Sequence, residues 1–256
     1  MLVGIIQSNY IPWRGYFDFI NEVDTFVIHD DILFTRDWRN RNYINVRGRR
    51  EWLTVPVNFR YSEGHTIEQT RICYSSNWAA KHLRRISEAY RLAPFFNIYF
   101  PELQEILSQR YYSISELNVA LIRWVMAKLS ITTRLVMSRE LGPAGCKTER
   151  LLIMLKKLGA THYLSGPAAD DYLDKEQFRA AGIGLSYKQY KYPEYVQTTE
   201  GFLDNVSILD VLFHCGPSAN EYIKSRLPPK QIVFTENVGF VNPHGPNFDR
   251  SSCLSE

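Results

Sequence analysis

No run of eighteen apolar residues occurs in this 256-residue chain, so no transmembrane helix and no membrane insertion are expected. Cysteine is scarce. Cys73, Cys146, Cys215 and Cys253 stand far apart with no C-x-x-C pair, which argues against a zinc site or a disulfide scaffold. No structural metal is therefore expected. The opening residues, MLVGIIQSNY, carry neither a basic n-region nor a cleavage site, so a signal peptide is not expected and the expected location is cytoplasmic. Three nucleotide and nucleophile signatures are missing: G-x-G-x-x-G after a strand, the G-x-x-x-x-G-K-[ST] loop, and the G-x-S-x-G elbow. Charge of one sign is not in excess either. A net +3 weighs against a dedicated nucleic-acid binder.

What is present is an aromatic-rich chain, with 16 Tyr, 14 Phe and 5 Trp. Leu2 to Gln7 reads as a buried strand, Tyr16 to Glu22 as a short helix with Phe17 and Ile20 inward and Asp18 in its first turn, and Thr25 to His29 as a second strand. Strand, loop, helix and strand in some thirty residues make a βαβ unit. EWLTVPVNF, residues 51–59, reads as a third strand, with Pro56 favouring an edge or bulge. Residues 77–130 read as a helical insertion. A first helix runs from Asn77 to about Tyr90, a second has Pro101 at its first position, and a third begins at Ser115. Alternation then resumes: strands at 134–138, 161–165 and 185–190, separated by helices at 148–158 (capped by Thr148, closed by Gly159) and 175–181, with another helix core at 209–213. The expectation is an α/β fold, doubly wound around a mostly parallel sheet. It would form one domain over 1–240, followed by a loose tail over 241–256.

Ligands collect at the carboxyl ends of strands in open parallel sheets. Three polar loops fall there: Gln7–Gly15, Asp30-Asp31, and Ser165-Gly166 within LSGP. The candidate binding residues are Gln7, Asn9, Tyr10, Trp13, Arg14, Gly15, Arg41, Asn42, Lys147, Arg150, Ser165 and Gly166. The candidate catalytic residues are Asp30, Asp31 and His82. Either aspartate could orient an amine or act as a base, or simply cap a turn. His82 shares its helix with Lys81, Arg84 and Arg85, and is either functional or a satisfied helix histidine. Lys147, Thr148 and Arg150 open a helix after a glycine, a setting that suits an anion. Six arginines between Arg36 and Arg50, interleaved with Trp38 and Tyr43, could bind RNA, clamp a diphosphate, or decorate a solvated hairpin.

The opening loop resembles that of the nucleotidyltransferase-like α/β superfamily, which places a Pro and an H-x-G-H tetrad between the first strand and helix. Here the tetrad reads Trp13-Arg14-Gly15-Tyr16, keeping the glycine and lacking both histidines, with Arg14 as a substitute phosphate donor. A wider resemblance covers about 2–219. QSNYIPWRGYFDFI, FVIHDDILFTRDWRNRN, WLTVPV, KTERLL, LGATHYLSGPAADDYLD and the 207–217 segment are together similar to the WbqC-like protein family. That resemblance implies a bacterial protein from a surface-polysaccharide or O-antigen gene setting and a sugar-modifying role.

The resulting expectation is an enzyme that attaches a small acyl or aminoacyl group to the amine of a nucleotide-linked amino sugar. Arg14, the helix amides after Gly15, and Lys147 or Arg150 would hold phosphates, while Tyr10 and Trp13 pack on the sugar or base. The cofactor is left open between ATP with magnesium, for a ligase, and an acyl donor, for a transferase. The nucleotide-linked sugar is the expected partner, and tRNA would enter only as an aminoacyl donor. Two alternatives stand beside this reading: a non-catalytic nucleotide-sugar or glycan binder or scaffold, and an RNA-binding module.

Overall fold

The computed structural model of the chain describes residues 1–60 and 64–234. The opening apolar run forms β1 (Leu2–Ile6), and α1 (Arg14–Glu22) leads to β2 (Thr25–Ile28). Next come β3 (Arg41–Val46), β4 (Arg49–Thr54), β5 (Val57–Asn58) and β6 (Arg71–Ile72), then α2 (Trp78–Tyr90), α3 (Phe96–Ser108) and α4 (Ile114–Lys128). The chain continues through β7 (Arg134–Met137), α5 (Lys147–Leu158), β8 (His162–Ser165), α6 (Lys175–Ala180), β9 (Gly184–Tyr187), α7 (Ile208–Cys215), α8 (Ala219–Tyr222) and β10 (Lys230–Val233).

Six strands form the central sheet in the order β10-β9-β8-β1-β2-β7. Every pairing is parallel except β9 with β10. From β1 the chain moves outward through β2 to β7, then crosses back to lay β8 on the other side of β1. The strand order thus reverses between β1 and β8. Strands buried on both faces send alternate side chains to opposite layers. Val3, Ile5, Val27, Tyr163 and Leu185 pack toward α5 and α6. Phe26, Ile28 and Leu164 pack on the other side with Phe17, Phe19 and Ile20 of α1 and Leu209 and Phe213 of α7. No helix among the described residues is long and apolar enough to cross a membrane.

Several local expectations are corrected. The 51–59 stretch is not a strand of the main sheet. It splits at Pro56 into β4, which pairs with β3, and β5, which pairs with β6. The β3–β4 link is a two-residue turn with Arg47 at φ 52° and Gly48 at φ 78°. Both residues are left-handed, the geometry that matches strand twist in a tight hairpin. Pro101 does not begin α3 but lies inside it. An interior proline forfeits a hydrogen bond and costs about 3 kcal/mol; burial of Phe96, Tyr99, Leu103 and Leu107 offsets that loss. α4 begins at Ile114 rather than Ser115, and Ser113 caps it, accepting from the Glu116 amide at 3.2 Å. Cys146, not Thr148, precedes α5, and Thr148 Oγ1 instead accepts from the Asp174 amide at 3.0 Å. Asp18 lies beyond the first turn of α1 and is buried. The antiparallel β10 was not anticipated. The expected tail, 241–256, lies outside the described residues.

Gly4 sets the spacing between β1 and α1. A Cβ there would fall well inside contact distance of Phe19 Cε1, and Phe19 has no exposed surface into which to retreat. Gly4→Ala is expected to destabilise the protein by about 1–3 kcal/mol, the usual cost of overpacking, read as a lower urea midpoint at unchanged slope.

Candidate functional site

The period-two pattern of the strands decides which strand-end residues meet. Val27, His29 and Asp31 continue one face of β2, and Ile5 and Gln7 continue the same face of β1. Gln7, His29, Asp31, Ser165 and Gly166 line a cleft of about 820 Å³ at the carboxyl edge of the sheet, closed on one side by the start of α5. The cleft sits where the strand order reverses, the position at which open α/β sheets hold ligands.

The chemistry is concentrated around Arg150. Its Nη2 donates to Asp31 Oδ2 at 2.6 Å, its Nη1 to the Pro143 carbonyl at 2.7 Å, and its Nε to His29 Nε2 at 3.2 Å. Asp31 also accepts from the Ser138 hydroxyl. Because His29 Nε2 accepts from a guanidinium, that nitrogen is unprotonated. Burial, opposed by the Asp31 carboxylate and aided by the Arg150 charge, brings the His29 pKa down to about 4. His29 is thus a neutral imidazole near neutral pH.

Lys147 stands at the start of α5 and lines the same cleft as Arg150. Its side chain is exposed and makes no hydrogen bond or ion pair with any described residue. Its backbone is left-handed, φ 48°, and Gly145 two residues earlier has φ 74°. A left-handed lysine costs about 1–3 kcal/mol and persists only where its surroundings impose it. No side chain caps α5. The start of α5 lines the cleft with Lys147 and Arg150, and a helix N-terminus beside two cations suits phosphate or carboxylate, although Glu149 also stands in this first turn. Leu33 and Tyr172, 64% and 62% exposed, form an apolar rim. No group of three or more His, Cys, Asp or Glu among the described residues could hold a metal ion.

Of the residues singled out in the sequence, Gln7, Asp31, Lys147, Arg150, Ser165 and Gly166 line this cleft. The others lie elsewhere. Asp30, on the opposite face of its strand, is fully buried; it accepts from the Ser8 amide at 2.8 Å and the Ser115 hydroxyl at 2.5 Å, tying the opening loop to α4. Burial raises its pKa against those hydrogen bonds. Arg14 is buried and bonds to Asp204 Oδ1 at 3.0 Å and the Pro193 carbonyl at 2.8 Å, so its guanidinium holds the C-terminal segment. Gly15 lies under the Trp13 ring. Tyr10 donates to His82 Nδ1 at 2.8 Å, and both side chains are buried. Arg41 lies over Trp52 at 4.4 Å. Asn9, Trp13 and Asn42 line a second, smaller cleft.

His29 and the Leu33–Tyr172 rim were missed in the sequence. The signal for His29 was its two-residue spacing from Val27 and Asp31 at a strand end.

Fold and site together define an α/β protein with a cationic cleft at the carboxyl edge of a mostly parallel sheet. The chain belongs to the WbqC-like protein family, whose model matches residues 7–222. It is 40% identical over 225 residues to the uncharacterized protein Rv1507c of Mycobacterium tuberculosis (strain ATCC 25618 / H37Rv), covering 87% of this chain and 97% of that one. No solved structure matches the chain.

Proposed function

We propose that the cleft binds the phosphates of a nucleotide-linked amino sugar and that the protein acylates the sugar's amine in polysaccharide assembly. The observation that carries this reading is the meeting of Lys147, Arg150, the uncapped α5 amides and Asp31 at one strand-order reversal. The reversal of strand order supports a doubly wound, Rossmann-like reading, in which a nucleotide would lie at this point. Lys147, Arg150 and the α5 amides hold the phosphates, Arg150 also fixes Asp31, and Tyr172 packs on the base or sugar. The amine nitrogen attacks the acyl carbonyl carbon. The new C–N bond forms as the bond to the donor's thiolate, tRNA oxygen or adenylate breaks, and Asp31 accepts the amine proton. Family membership supports a polysaccharide-related role.

A second reading, binding without catalysis, is favoured by one observation: Arg150 engages both Asp31 and His29, the two basic groups of the cleft.

The test is to incubate the protein with UDP-glucosamine and either acyl-coenzyme A donors or carboxylic and amino acids with ATP and magnesium, then weigh the nucleotide-sugar by mass spectrometry. The expected result is a mass gain of one acyl group, reduced about a hundredfold in Asp31→Asn with binding retained. Binding with no mass gain from any donor would establish the second reading. Absence of binding would remove both.

A further inference from the structure

A second cleft, of about 480 Å³, opens between the opening loop and the β3–β4 hairpin and shares no lining residue with the first. Its aromatic wall includes Trp38 and Tyr43. Trp38 is 44% exposed, a large indole left in solvent, whereas tryptophan is mostly buried on average. The ring is nonetheless held firmly. Its centroid lies 5.5 Å from Trp52 and 5.9 Å from Tyr43, and Tyr43 stacks on Trp52 at 3.7 Å. The Trp38 carbonyl accepts from the Tyr10 amide at 2.9 Å.

Polar groups stand beside this platform. The Oδ1 atom of Asn9 is buried and accepts no hydrogen bond from any described residue. Asn205 is held left-handed, φ 57°. Arg50 is pinned on the Asp204 carbonyl through Nε and Nη2, at 3.3 and 2.8 Å, and its Nη1 donates to no described residue. The opening loop is strained here. Ile11, a β-branched residue, takes φ 41°, and its carbonyl and that of Tyr10 both accept from Asn42 Nδ2, at 2.7 and 3.2 Å. A left-handed β-branched residue is a true outlier, and such strain gathers at ligand clamps.

We propose that this second cleft is a saccharide subsite. A pyranose ring lays its C–H face on Trp38, and its hydroxyls exchange hydrogen bonds with Asn9, Asn205 and Arg50. The combination is an amphipathic aromatic wall with a few fixed polar groups that orient the ligand. A nucleic-acid strand fits less well because it needs a track of free cations. Arg50 is the only cation in this lining. Arg14 is paired with Asp204, Arg36 and Arg41 each reach a backbone carbonyl, and the exposed Arg47 and Arg49 line a different hollow with Glu51 and Glu88. The subsite stands on residues separate from the phosphate cleft, so neither reading depends on the other.

The test is a titration of the full chain with chitobiose, maltose and a galacturonic acid disaccharide, and with an oligouridylate, by calorimetry and saturation-transfer NMR. At least one disaccharide is expected to bind saturably. Its affinity should fall at least tenfold in Trp38→Ala and in Asn9→Ala, recover partly in Trp38→Phe, and stay within twofold in Lys147→Ala. Should Trp38→Ala fail to fold, Asn9→Ala and Trp38→Phe carry the test. Saturation by none of the disaccharides, affinity indifferent to Trp38 and Asn9, loss in Lys147→Ala, or oligouridylate binding abolished by Trp38→Ala would each overturn the assignment.

Discussion

Replacing Lys188 with methionine is expected to remove about 3–5 kcal/mol of stability, the usual cost of breaking one partner out of a buried ion pair. Lys188 follows β9, and its side chain is 3% exposed. Its ammonium lies 2.9 Å from Asp18 Oδ2 and also pairs with Glu22, both on α1. Asp18 Oδ2 further accepts from the Tyr192 hydroxyl at 2.8 Å and the Ser225 amide at 3.1 Å. One buried carboxylate therefore joins α1 to the chain on both sides of α7. Without Lys188 that charge keeps two neutral donors and no counter-ion. Pairing Lys188→Met with Asp18→Asn removes the stranded charge and should recover part of the loss. Lys175 and Asp170 form a pair at 2.5 Å, but their side chains are 36% and 45% exposed. Lys175→Met should cost under about 1 kcal/mol, because solvent screens such a pair. Similar urea midpoints for the two lysine variants would contradict the account.

Stability should also fall by up to about 3 kcal/mol between pH 6.5 and pH 4 through His82 alone. Burial pushes this imidazole down to about 4. Tyr10 donates to its Nδ1, and its Nε2–H donates to the Thr54 carbonyl at 3.2 Å, so the neutral ring is satisfied on both sides. The unfolded chain takes up a proton near pH 6.5, while the folded one resists until about 4. Protons therefore bind the unfolded state preferentially in that window, and stability is lost as pH drops through it. His29 titrates in the same window from its own buried position. The His82 share is therefore the difference between the wild-type slope and that of His82→Gln. Urea titrations at several pH values read both. An unchanged slope in His82→Gln would show that the histidine is not held neutral.

Much of the frame was legible because it rests on local signals. The βαβ opening and the helices over 78–90 and 114–128 follow from periodicity, and the end of α5 from its closing glycine. Other features were not, because long-range packing decides them. Pro101 sits inside α3 because four apolar residues on one face bury against the core. The 51–59 run joins a hairpin because Arg47-Gly48 supplies a tight turn just before it. The site was half legible for a similar reason. Strand ends marked loops that line the cleft, but strands apolar on both faces do not reveal which face opens to solvent. Asp30 and Asp31 are equivalent on paper. In the fold one clamps the interior and the other meets Arg150. Arg14 likewise reads as a phosphate donor until the 193–222 segment, distant in sequence, is seen to occupy its guanidinium.

The most direct test of the central claim is calorimetric binding of UDP-N-acetylglucosamine and UDP-glucosamine to the wild type, Lys147→Ala and Arg150→Met at two salt concentrations. The account predicts saturable one-site binding by the wild type, weakened by salt and at least tenfold weaker in both variants. Absence of binding by the wild type, or binding that both variants keep intact, would contradict a phosphate site at the start of α5.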